Sequence, residues 1–544
     1  MKKGADQVKY TVNPPVLELI GDEVAITVNG SYPAKYFNKS VTMDLTPVIQ
    51  SGSNELAYGT YKVQGESVKG NDKVIKYDGG SFSYSAKVTY KPEFQQSELI
   101  LKANAAKGST SLAFDPIKLA DGIITTCLLV QKDGKATYAA DKFVRITTDE
   151  YSADIKYGLQ QSDVRTAESK KAEIKEFTEA VKAAKANDRV NFKGAEISAY
   201  ASPEGPLDLN TKLSNSREKT GEAFFTKNFK AAKVEEIVKS DFLKVLTTPE
   251  DWDGFKKEME ASNLADKQLI LRVLSMYSDP IVREREIKNI AAAYEEIKKD
   301  ILPKLRRAKM TVNIEVVGLS DQEILAQVDK DASKLKLEEI LYAGTLVQDN
   351  NKKLAVYQAA ARTYPEDYRT KNNLGTVLLN LGRTSEAKTA LNDAKAIANN
   401  DIVKNNLAVV ALREGKIAEA EELLTSIAAN EDAKYNLGTI KIIQGKYTDA
   451  VNYFGSQVEI NAALAKLLAK QNEAAITILN SVKSDDALVY YLKAVAGART
   501  QNNNLVISNL KTAASKSAAL KANAKKDVEF AKYFDNADFK AIVQ

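Results

Sequence analysis

The sequence predicts a multidomain protein with an all-β N-terminal region, an α/β middle region and an all-helical C-terminal repeat region. Three observations carry this prediction. Short alternating apolar runs, separated by turn residues, recur up to residue 148. Strand-like and helix-like segments alternate through residues 149–330. Four copies of one spacing of small and large apolar residues follow residue 370.

The N-terminal region, residues 1–148, is predicted to form a β-sandwich, built as one or two immunoglobulin-like modules. Apolar and polar residues alternate at residues 24–28 and 41–45, which is the period of a half-buried strand. Asn29-Gly30 and residues 78–80 (DGG) supply turns. The aromatic residues here have two interpretations, packing within the sheets or an exposed row that would bind carbohydrate: Tyr58, Tyr61, Tyr77, Phe82, Tyr84 and Tyr90.

The middle region, residues 149–330, is predicted to be an α/β domain with a largely helical insertion at about residues 248–306. Apolar runs typical of strands alternate with amphipathic segments typical of helices. The predicted strands are residues 153–159, 195–201, 242–245 and 311–317, and the predicted helices are residues 166–186 and 209–226.

The start of the second helix in this region carries a family resemblance. Residues 210–217 (NTKLSNSR) follow a strand and a glycine-containing loop, and residues 305–312 (LRRAKMTV) lead into the last strand. Both segments are similar to the OmpA-like peptidoglycan-associating domain. That family has an Asx-x-x-Leu-Ser-x-x-Arg helix start after a Thr-Asp-x-x-Gly loop. The resemblance implies an OmpA-like α/β fold for the middle region.

The resemblance also implies recognition of the carboxylate and the amine of diaminopimelate in peptidoglycan. Arg217 matches the family's arginine, and a planar guanidinium suits a two-pronged contact with a carboxylate. The family's aspartate falls on Ser202, whose neutral hydroxyl cannot neutralise an ammonium group. Glu204 and Asp208 lie nearby without aligning, and Asn210 opens the helix motif. We therefore expect weak peptidoglycan binding or none, with a purely structural ion pair of Arg217 as the alternative.

The C-terminal region, residues 335–544, is predicted to be a solenoid of helical hairpins. Each copy of the pattern has a large residue, a small residue directly after it, an alanine twelve positions later and a bulky apolar residue four further on. A glycine and a cation precede that alanine in three copies, and glycine is suited to end the first helix. The copies are Leu374, Gly375, Ala387 and Leu391; Leu407, Ala408, Ala420 and Leu424; Leu437, Gly438, Ala450 and Phe454; and, more weakly, Ala462, Ala463, Ala475 and Leu479.

This spacing resembles the tetratricopeptide repeat, whose usual period is about 34 residues. The leading positions 374, 407, 437 and 462 are 33, 30 and 25 residues apart, so the array degenerates toward its end. The resemblance implies that the concave face, formed by the first helix of each hairpin, binds a protein or peptide. Lysines on or near that helix predict an acidic ligand, with solvated surface charge as the alternative: Lys371, Lys404, Lys434 and Lys441.

Composition excludes several classes of function. The chain has no histidine, which excludes a histidine base, a Ser-His-Asp triad and histidine-ligated metal sites. Its 77 basic and 72 acidic residues are too balanced for a nucleic-acid binder. Cys127 is the only cysteine and lies in an apolar run, which predicts a buried thiol. Phosphate-binding glycine motifs are absent too, so the sequence predicts a protein that is not an enzyme and uses no cofactor or metal.

The combination of an OmpA-like region with a repeat array resembles the envelope lipoproteins of bacteria with two membranes. It implies a scaffold or adaptor that is associated with the outer membrane or lies in the periplasm. No apolar run of about 18 residues occurs, so membrane association would come through a lipid anchor, which is inferred from the resemblance and lacks its cysteine in this chain. Met1-Lys2-Lys3 resembles the charged start of a secretion signal without its apolar stretch. Either the protein is cytoplasmic or a targeting segment has been removed.

Overall fold

The computed structural model describes residues 5–239 and 241–544, except the side chains of residues 237, 238 and 291–293. The charged start Met1-Lys2-Lys3 therefore lies outside the described residues. The chain folds into two compact units. One contains the chain up to Asp141 together with Gly344–Gln544, and the other is Lys142–Ala343. The β region and the repeat region thus belong to one unit, although about 200 residues of sequence separate them.

The N-terminal region is β-rich, as predicted. Its strands form two sheets, one in the order β1-β3-β2-β12 with β8 also on β3, the other in the order β10-β9-β4-β6-β7 with β11 on β9 and β5 on β4. The strands are β1 (Lys9–Asn13), β2 (Leu17–Ile20), β3 (Glu23–Tyr32), β4 (Thr42–Ser51), β5 (Asn54–Ala57), β6 (Tyr61–Gly65), β7 (Lys73–Ile75), β8 (Gly80–Thr89), β9 (Glu98–Lys107), β10 (Thr110–Ala113), β11 (Ile117–Asp121) and β12 (Ile123–Ile124).

Alternation along the strands explains the core of this region. In β3, Val24, Ile26 and Val28 are buried, because every second side chain of a strand points to the same face. Both sheets contribute side chains to a single hydrophobic core, for example Val28 from β3 and Leu101 from β9. The two sheets therefore stabilise one another as a sandwich.

Most of the six aromatic residues that could have formed a carbohydrate-binding row are buried or half-buried. Tyr58 and Phe82 are buried. Tyr61 stacks on Tyr84 with ring centroids 5.0 Å apart, and both are half-buried. Tyr77 is exposed. Tyr61, Phe82 and Tyr84 therefore contribute to packing within the sandwich, and carbohydrate binding by this region stays a prediction.

The middle unit has a four-stranded sheet in the order β13-β16-β14-β15, in which only β14 and β15 run parallel. Helix α2 buries Ile174, Phe177 and Val181, which lie three and four positions apart on one face. The strands are β13 (Ile146–Lys156), β14 (Val190–Tyr200), β15 (Leu243–Thr248) and β16 (Arg307–Val317), and the helices outside the insertion are α1 (Thr166–Ser169), α2 (Ala172–Lys185), α3 (Leu207–Ala231), α9 (Asp321–Asp331) and α10 (Leu337–Leu346), within which the unit ends.

The described residues between β15 and β16 form five helices, and they have a hydrophobic core of their own that includes Phe255, Met259 and Ile297. These helices are α4 (Trp252–Ala261), α5 (Lys267–Met276), α6 (Pro280–Asn289), α7 (Ala291–Asp300) and α8 (Leu302–Leu305). Several predicted boundaries differ: the strand expected over residues 153–159 is Ile146–Lys156, and the helix expected over residues 209–226 is Leu207–Ala231. The helix expected over residues 166–186 is broken at Lys170-Lys171, and the strand expected at residues 242–245 extends to Thr248 because it pairs with β14 along its whole length.

The C-terminal region is an array of paired helices, as predicted. The helices are α11 (Asn350–Thr363), α12 (Tyr368–Asn380), α13 (Thr384–Ile397), α14 (Asp401–Arg413), α15 (Ile417–Thr425), α16 (Glu431–Ile443), α17 (Tyr447–Phe454), α18 (Ile460–Leu468), α19 (Asn472–Ser481), α20 (Ala487–Arg499), α21 (Asn503–Lys516), α22 (Ala518–Ala524) and α23 (Ala537–Val543).

The repeated small and large residues hold each hairpin together. A Cβ added to Gly375 would lie 2.5 Å from Leu391, and one added to Gly438 would lie 2.8 Å from Phe454. The small residue therefore lets the two helices approach while the large one fills the contact. Gly382, Gly415 and Gly445 follow the first helices with φ near +74°, +75° and +73°, the left-handed conformation that glycine adopts at low cost.

Candidate functional site

A segment of the chain lies along the first helices of the array. We call residues 131–139 the strap. It belongs to no strand or helix, and it follows the short helical turn Thr126–Leu129 that leaves the sandwich. Its residues range from buried Ala139 to exposed Lys132. The surface that was predicted to bind a peptide is thus occupied by a segment of this same chain.

Four asparagines, which we call the asparagine ladder, hold the strap by its backbone. They lie on α12, α14, α16 and α18, and each side-chain amide both accepts from the N–H and donates to the C=O of one strap residue. The pairs, with the two distances, are Asn373 with Ala139 (2.7 and 2.9 Å), Asn406 with Thr137 (2.7 and 2.8 Å), Asn436 with Lys135 (2.7 and 2.9 Å) and Asn461 with Gln131 (3.0 and 2.8 Å).

The ladder is buried and internally connected. All four asparagines have at most 1% of their surface exposed, so their polar atoms depend on these partners. Asn372 and Asn405 form a second row and donate to the carbonyls of Thr137 and Lys135. The rows are joined, since Asn406 donates to Asn372 at 2.9 Å and Asn436 donates to Asn405 at 3.0 Å. Hydrogen bonds between the two rows therefore help to orient the asparagine amides independently of their contacts with the strap.

The strap runs against the order of the array. From Asn373 to Asn461 the paired strap positions fall from Ala139 to Gln131, in steps of two, two and four residues. Alternate residues of an extended chain face the same side, which accounts for the steps of two.

Gly134 lies within the step of four. Its φ is +67°, and an added Cβ would lie 3.1 Å from Val409 and 3.3 Å from Oδ1 of Asn436. Arg413 donates to the carbonyl of Asp133 at 2.7 Å. The strap bends here against the groove, where a side chain has no room.

Side chains of the strap meet acidic and aromatic groups. Lys135 forms an ion pair with Glu459. Thr137 donates to Asp432 at 2.7 Å. Gln131 donates to Asp486 at 3.4 Å, and Nζ of Lys135 lies 4.5 Å from the ring centroid of Tyr435. Tyr138 stacks on Tyr357 with ring centroids 5.7 Å apart.

The four predicted lysines occupy other positions. Lys371 and Lys404 are half-buried and directly precede the second-row asparagines. Lys434 pairs with Glu431 at 2.6 Å, and buried Lys441 pairs with Glu421. Acidic side chains meet Gln131, Lys135 and Thr137 of the strap, opposite in sign to the lysines that suggested an acidic ligand, and the cations Arg413 and Lys353 contact it at Asp133 and Tyr138. Partner binding through these lysines stays a prediction.

The sequence held a signal for the ladder that the spacing analysis did not use. An asparagine directly precedes the leading residue of every copy, at positions 373, 406, 436 and 461. Such a residue on the concave side of a first helix can bind a peptide backbone in both directions, because its amide is donor and acceptor at once.

The sandwich also packs on the array within this unit. Tyr447 donates to the carbonyl of Leu19 at 3.2 Å, and the Cys127 thiol donates to the same carbonyl at 3.3 Å. Cys127 is buried, as predicted, and burial raises the pKa of its thiol to about 11, which keeps it protonated at neutral pH. At the end of the array, Gln95 donates to Asn523 at 3.0 Å. The strap and the sandwich therefore both pack against the array within this unit.

The middle unit brings together four of the five residues predicted to bind peptidoglycan. Ser202, Glu204, Asn210 and Arg217 line one cavity of about 220 Å³. The fifth, Asp208, is exposed and does not belong to the lining.

The polar groups of this cavity are engaged with one another. Arg217 is buried and donates to three backbone carbonyls, those of Tyr200 (2.9 Å), Gln161 (3.0 Å) and Gly158 (3.2 Å). Burial lowers the pKa of Arg217 to about 10, which leaves it charged at neutral pH. Glu204 accepts two hydrogen bonds from Arg306 (2.9 and 3.0 Å), and the Ser202 hydroxyl donates to Glu204 at 2.7 Å. The alternative for Arg217 was a structural ion pair. Its hydrogen-bond partners in the structure are neutral backbone carbonyls.

The comparisons with known proteins concern the array. Residues 368–401, which span α12 and α13, match the tetratricopeptide-repeat family. The array therefore contains tetratricopeptide repeats, which typically build non-enzymatic protein-interaction scaffolds. A search of curated proteins gives no match. Among the described residues, no helix is both long enough and apolar enough to cross a bilayer.

Solved structures resemble parts of the chain at low identity. A tetratricopeptide repeat protein from Parabacteroides merdae ATCC 43184 has 16% identity and a TM-score of 0.31, over 38% of this chain and 90% of that one. The Cut9-Hcn1 hetero-tetramer of the APC/C has 14% identity and a TM-score of 0.33, over 62% and 75%. PilW, described as a widely conserved type IV pilus biogenesis factor, has 16% identity and a TM-score of 0.23, over 41% and 89%.

Proposed function

We propose that this chain is a non-enzymatic scaffold of the cell envelope whose tetratricopeptide array holds an extended polypeptide by its backbone. The observation that carries the proposal is the asparagine ladder, which makes eight hydrogen bonds to four residues of the strap. Each amide matches the N–H and the C=O that every residue other than proline offers. The groove is thus suited to bind main chain, with side chains adding selectivity.

The strap bears on how an outside partner would bind. A tethered segment competes at a high effective concentration, on the order of millimolar for short flexible connections. An outside segment therefore binds the parent chain weakly unless the strap is loosened. In the resting state the ladder joins the sandwich to the array. A partner binds in the groove by replacing the strap.

The envelope location and the OmpA-like identity of the middle unit are parts of the same proposal. They rest on the helix motif at residues 210–217, on the Arg-rich segment before β16 and on the combination with a repeat array. The contacts of the cavity support weak peptidoglycan binding or none, because Arg217 already binds three carbonyls and Glu204 already binds Arg306. A ligand carboxylate would have to displace those partners.

The proposal is tested with the full chain carrying Gly134→Val and Lys135→Glu. Valine at 134 clashes with Val409, and glutamate at 135 repels Glu459, so both changes loosen the strap and leave the groove unaltered. A fluorescent peptide of residues 129–141 is then titrated while its anisotropy is followed. We expect saturable binding to the loosened chain and at least about tenfold weaker binding to the parent, because the parent groove is occupied.

The controls separate groove binding from adhesion elsewhere. Asn406→Ala in the loosened chain should weaken peptide binding, whereas Asn392→Ala, an exposed asparagine on α13, should not. Circular dichroism checks that each variant is folded, and Lys135→Glu alone serves if the double variant is not. Absence of peptide binding to a folded, loosened chain would overturn the proposal.

A further inference from the structure

Side-chain contacts of the strap point to the chemistry of the segment that the groove selects. Lys135 reaches a site made of one carboxylate and one ring, with Glu459 in an ion pair and the Tyr435 ring centroid 4.5 Å from Nζ. A ring face beside a carboxylate is a good receptor for a cation. Tyr435 is 5% exposed and is fixed edge-on against Phe454, so the ring is held in place.

A second site accepts a hydroxyl two residues further on. The Thr137 hydroxyl donates to Asp432 at 2.7 Å and accepts from Asn405 at 3.2 Å. Because residues two apart in an extended chain point the same way, the cation and the hydroxyl both face the first helices of the array. A bound segment would therefore need its cation and its hydroxyl two residues apart to fill both sites.

An aromatic residue completes the pattern. Tyr138 stacks on Tyr357 with centroids 5.7 Å apart, and its hydroxyl accepts from Asn380 at 3.0 Å. Tyr357 is 2% exposed, so it offers a fixed shelf for one ring. Ala136, between the cation and the hydroxyl, has no side-chain contact of this kind and leaves its position unspecified.

We infer that the partner of the groove is an extended segment with the order cation, any residue, hydroxyl, aromatic, as in Lys135-Ala136-Thr137-Tyr138, and that it replaces the strap. The inference rests on the proposed function, since it names the ligand of the same groove. An acidic segment is disfavoured, because it would face the carboxylates of Glu459, Asp432 and Asp486. Like charges at such contacts oppose binding and select against wrong partners.

The test compares synthetic peptides of residues 129–141 on the full chain with the loosened strap (Gly134→Val and Lys135→Glu). The unchanged peptide should bind best. A peptide with Lys135→Glu should bind at least about tenfold more weakly, which corresponds to about 1.4 kcal/mol. A peptide with Lys135→Arg should stay within about threefold of the unchanged one, since arginine keeps the charge and the ring contact.

A charge exchange identifies the site. Introducing Glu459→Lys into a chain loosened by Gly134→Val and Lys135→Ala, whose strap cannot pair with the new lysine, should weaken the unchanged peptide and restore the Lys135→Glu peptide, which an effect on folding alone would not do. Equal binding of the lysine and glutamate peptides, with binding still lost in Asn406→Ala, would overturn this inference and leave the proposed function standing. Absence of any peptide binding to the folded chain would overturn both.

Discussion

The array and the middle unit both use buried polar side chains to hold backbone, and they use different chemical groups. Asn406 in the groove gives one donor and one acceptor to Thr137. Arg217 in the middle unit gives only donors, to three carbonyls of its own loops. An amide matches any extended residue, whereas a guanidinium needs carbonyls converging from several directions. The first arrangement suits an exchangeable segment, and the second fixes one local fold.

The largest expected effect concerns Arg217. Replacing it with methionine removes the buried donor of three backbone carbonyls at once, at a cost of about 3 kcal/mol or more in the stability of the middle unit. Trp252 is the only tryptophan and lies in this unit, so urea unfolding followed by its fluorescence reports the change. Lys212→Met, an exposed position on the same helix, is the matched control. An unchanged unfolding midpoint for Arg217→Met would show that the carbonyl contacts are dispensable.

The second prediction separates neutral from charged buried groups within the sandwich–array unit. Asp527 is 2% exposed, accepts from Tyr491 at 2.6 Å, and lies beside the ion pair of Arg499 with Glu529. Burial raises the pKa of Asp527 to about 6, above its ordinary value of about 3.9 in an unfolded chain. Protonation therefore favours the folded state. The stabilisation is complete below pH of about 4 and is lost as the pH rises through about 6.

The difference between the parent chain and Asp527→Asn measures this contribution. From pH 5 to pH 8 the parent should lose about 1.4 kcal/mol relative to the variant, since pH 5 lies about one unit below the folded-state pKa and one pKa unit corresponds to about 1.4 kcal/mol. Thermal unfolding followed by the helical circular dichroism signal provides the measurement. Parallel pH profiles for parent and variant would contradict the assignment. The ladder adds no such pH dependence, because amides do not titrate.

A smaller effect is expected at a single rung of the ladder. Asn406→Ala removes the acceptor of the Thr137 N–H and one of the donors to its C=O, which keeps Asn372, at a cost of about 1–3 kcal/mol. Asn392→Ala on the outer helix should cost about 0.5 kcal/mol or less, as surface changes do. Chemical unfolding of the three chains compares the values. Equal stability of the two variants would mean that the rung contributes nothing to holding the strap.

The smallest expected signal is peptidoglycan binding itself. We expect the parent chain to stay in the supernatant when purified sacculi are sedimented, because the charged groups of the cavity are already paired. Sedimentation of the parent chain that is lost in Glu204→Gln would contradict this expectation and the contrast between the cavity and the groove. It would show that the cavity opens to a ligand as the groove is proposed to do.

Local sequence patterns were enough to predict the secondary-structure elements. They did not predict which distant parts of the chain pair with one another. The spacing of Gly375 with Leu391 and of Gly438 with Phe454 predicted the hairpins, because these contacts repeat within a short stretch of chain. The strap could not be predicted this way, since Ala139 and Asn373 are 234 positions apart in sequence. Only the recurrence of asparagine at one position of each copy hinted at a bound backbone.

The residues of the middle-unit cavity show the same limit of prediction from local sequence. The family resemblance named five residues, of which Ser202, Glu204, Asn210 and Arg217 line one cavity, and their binding of peptidoglycan stays a prediction. What each one binds depended on elements far along the chain, such as Arg306 at the approach to β16. At the array, lysines on the first helices suggested an acidic ligand, which stays a prediction, whereas the strap itself meets Asp432 and Glu459.

The central claim is that the ladder holds the strap in the resting protein, and residue-resolved hydrogen exchange tests it most directly. The amides of Lys135, Thr137 and Ala139 donate to the ladder, whereas those of Ala136 and Tyr138 do not. We predict that the first three exchange at least about tenfold more slowly than the other two, although the strap has no secondary structure. In Asn406→Ala the Thr137 amide should lose its protection first. Uniform exchange along the strap at the rate of a free peptide would contradict the account.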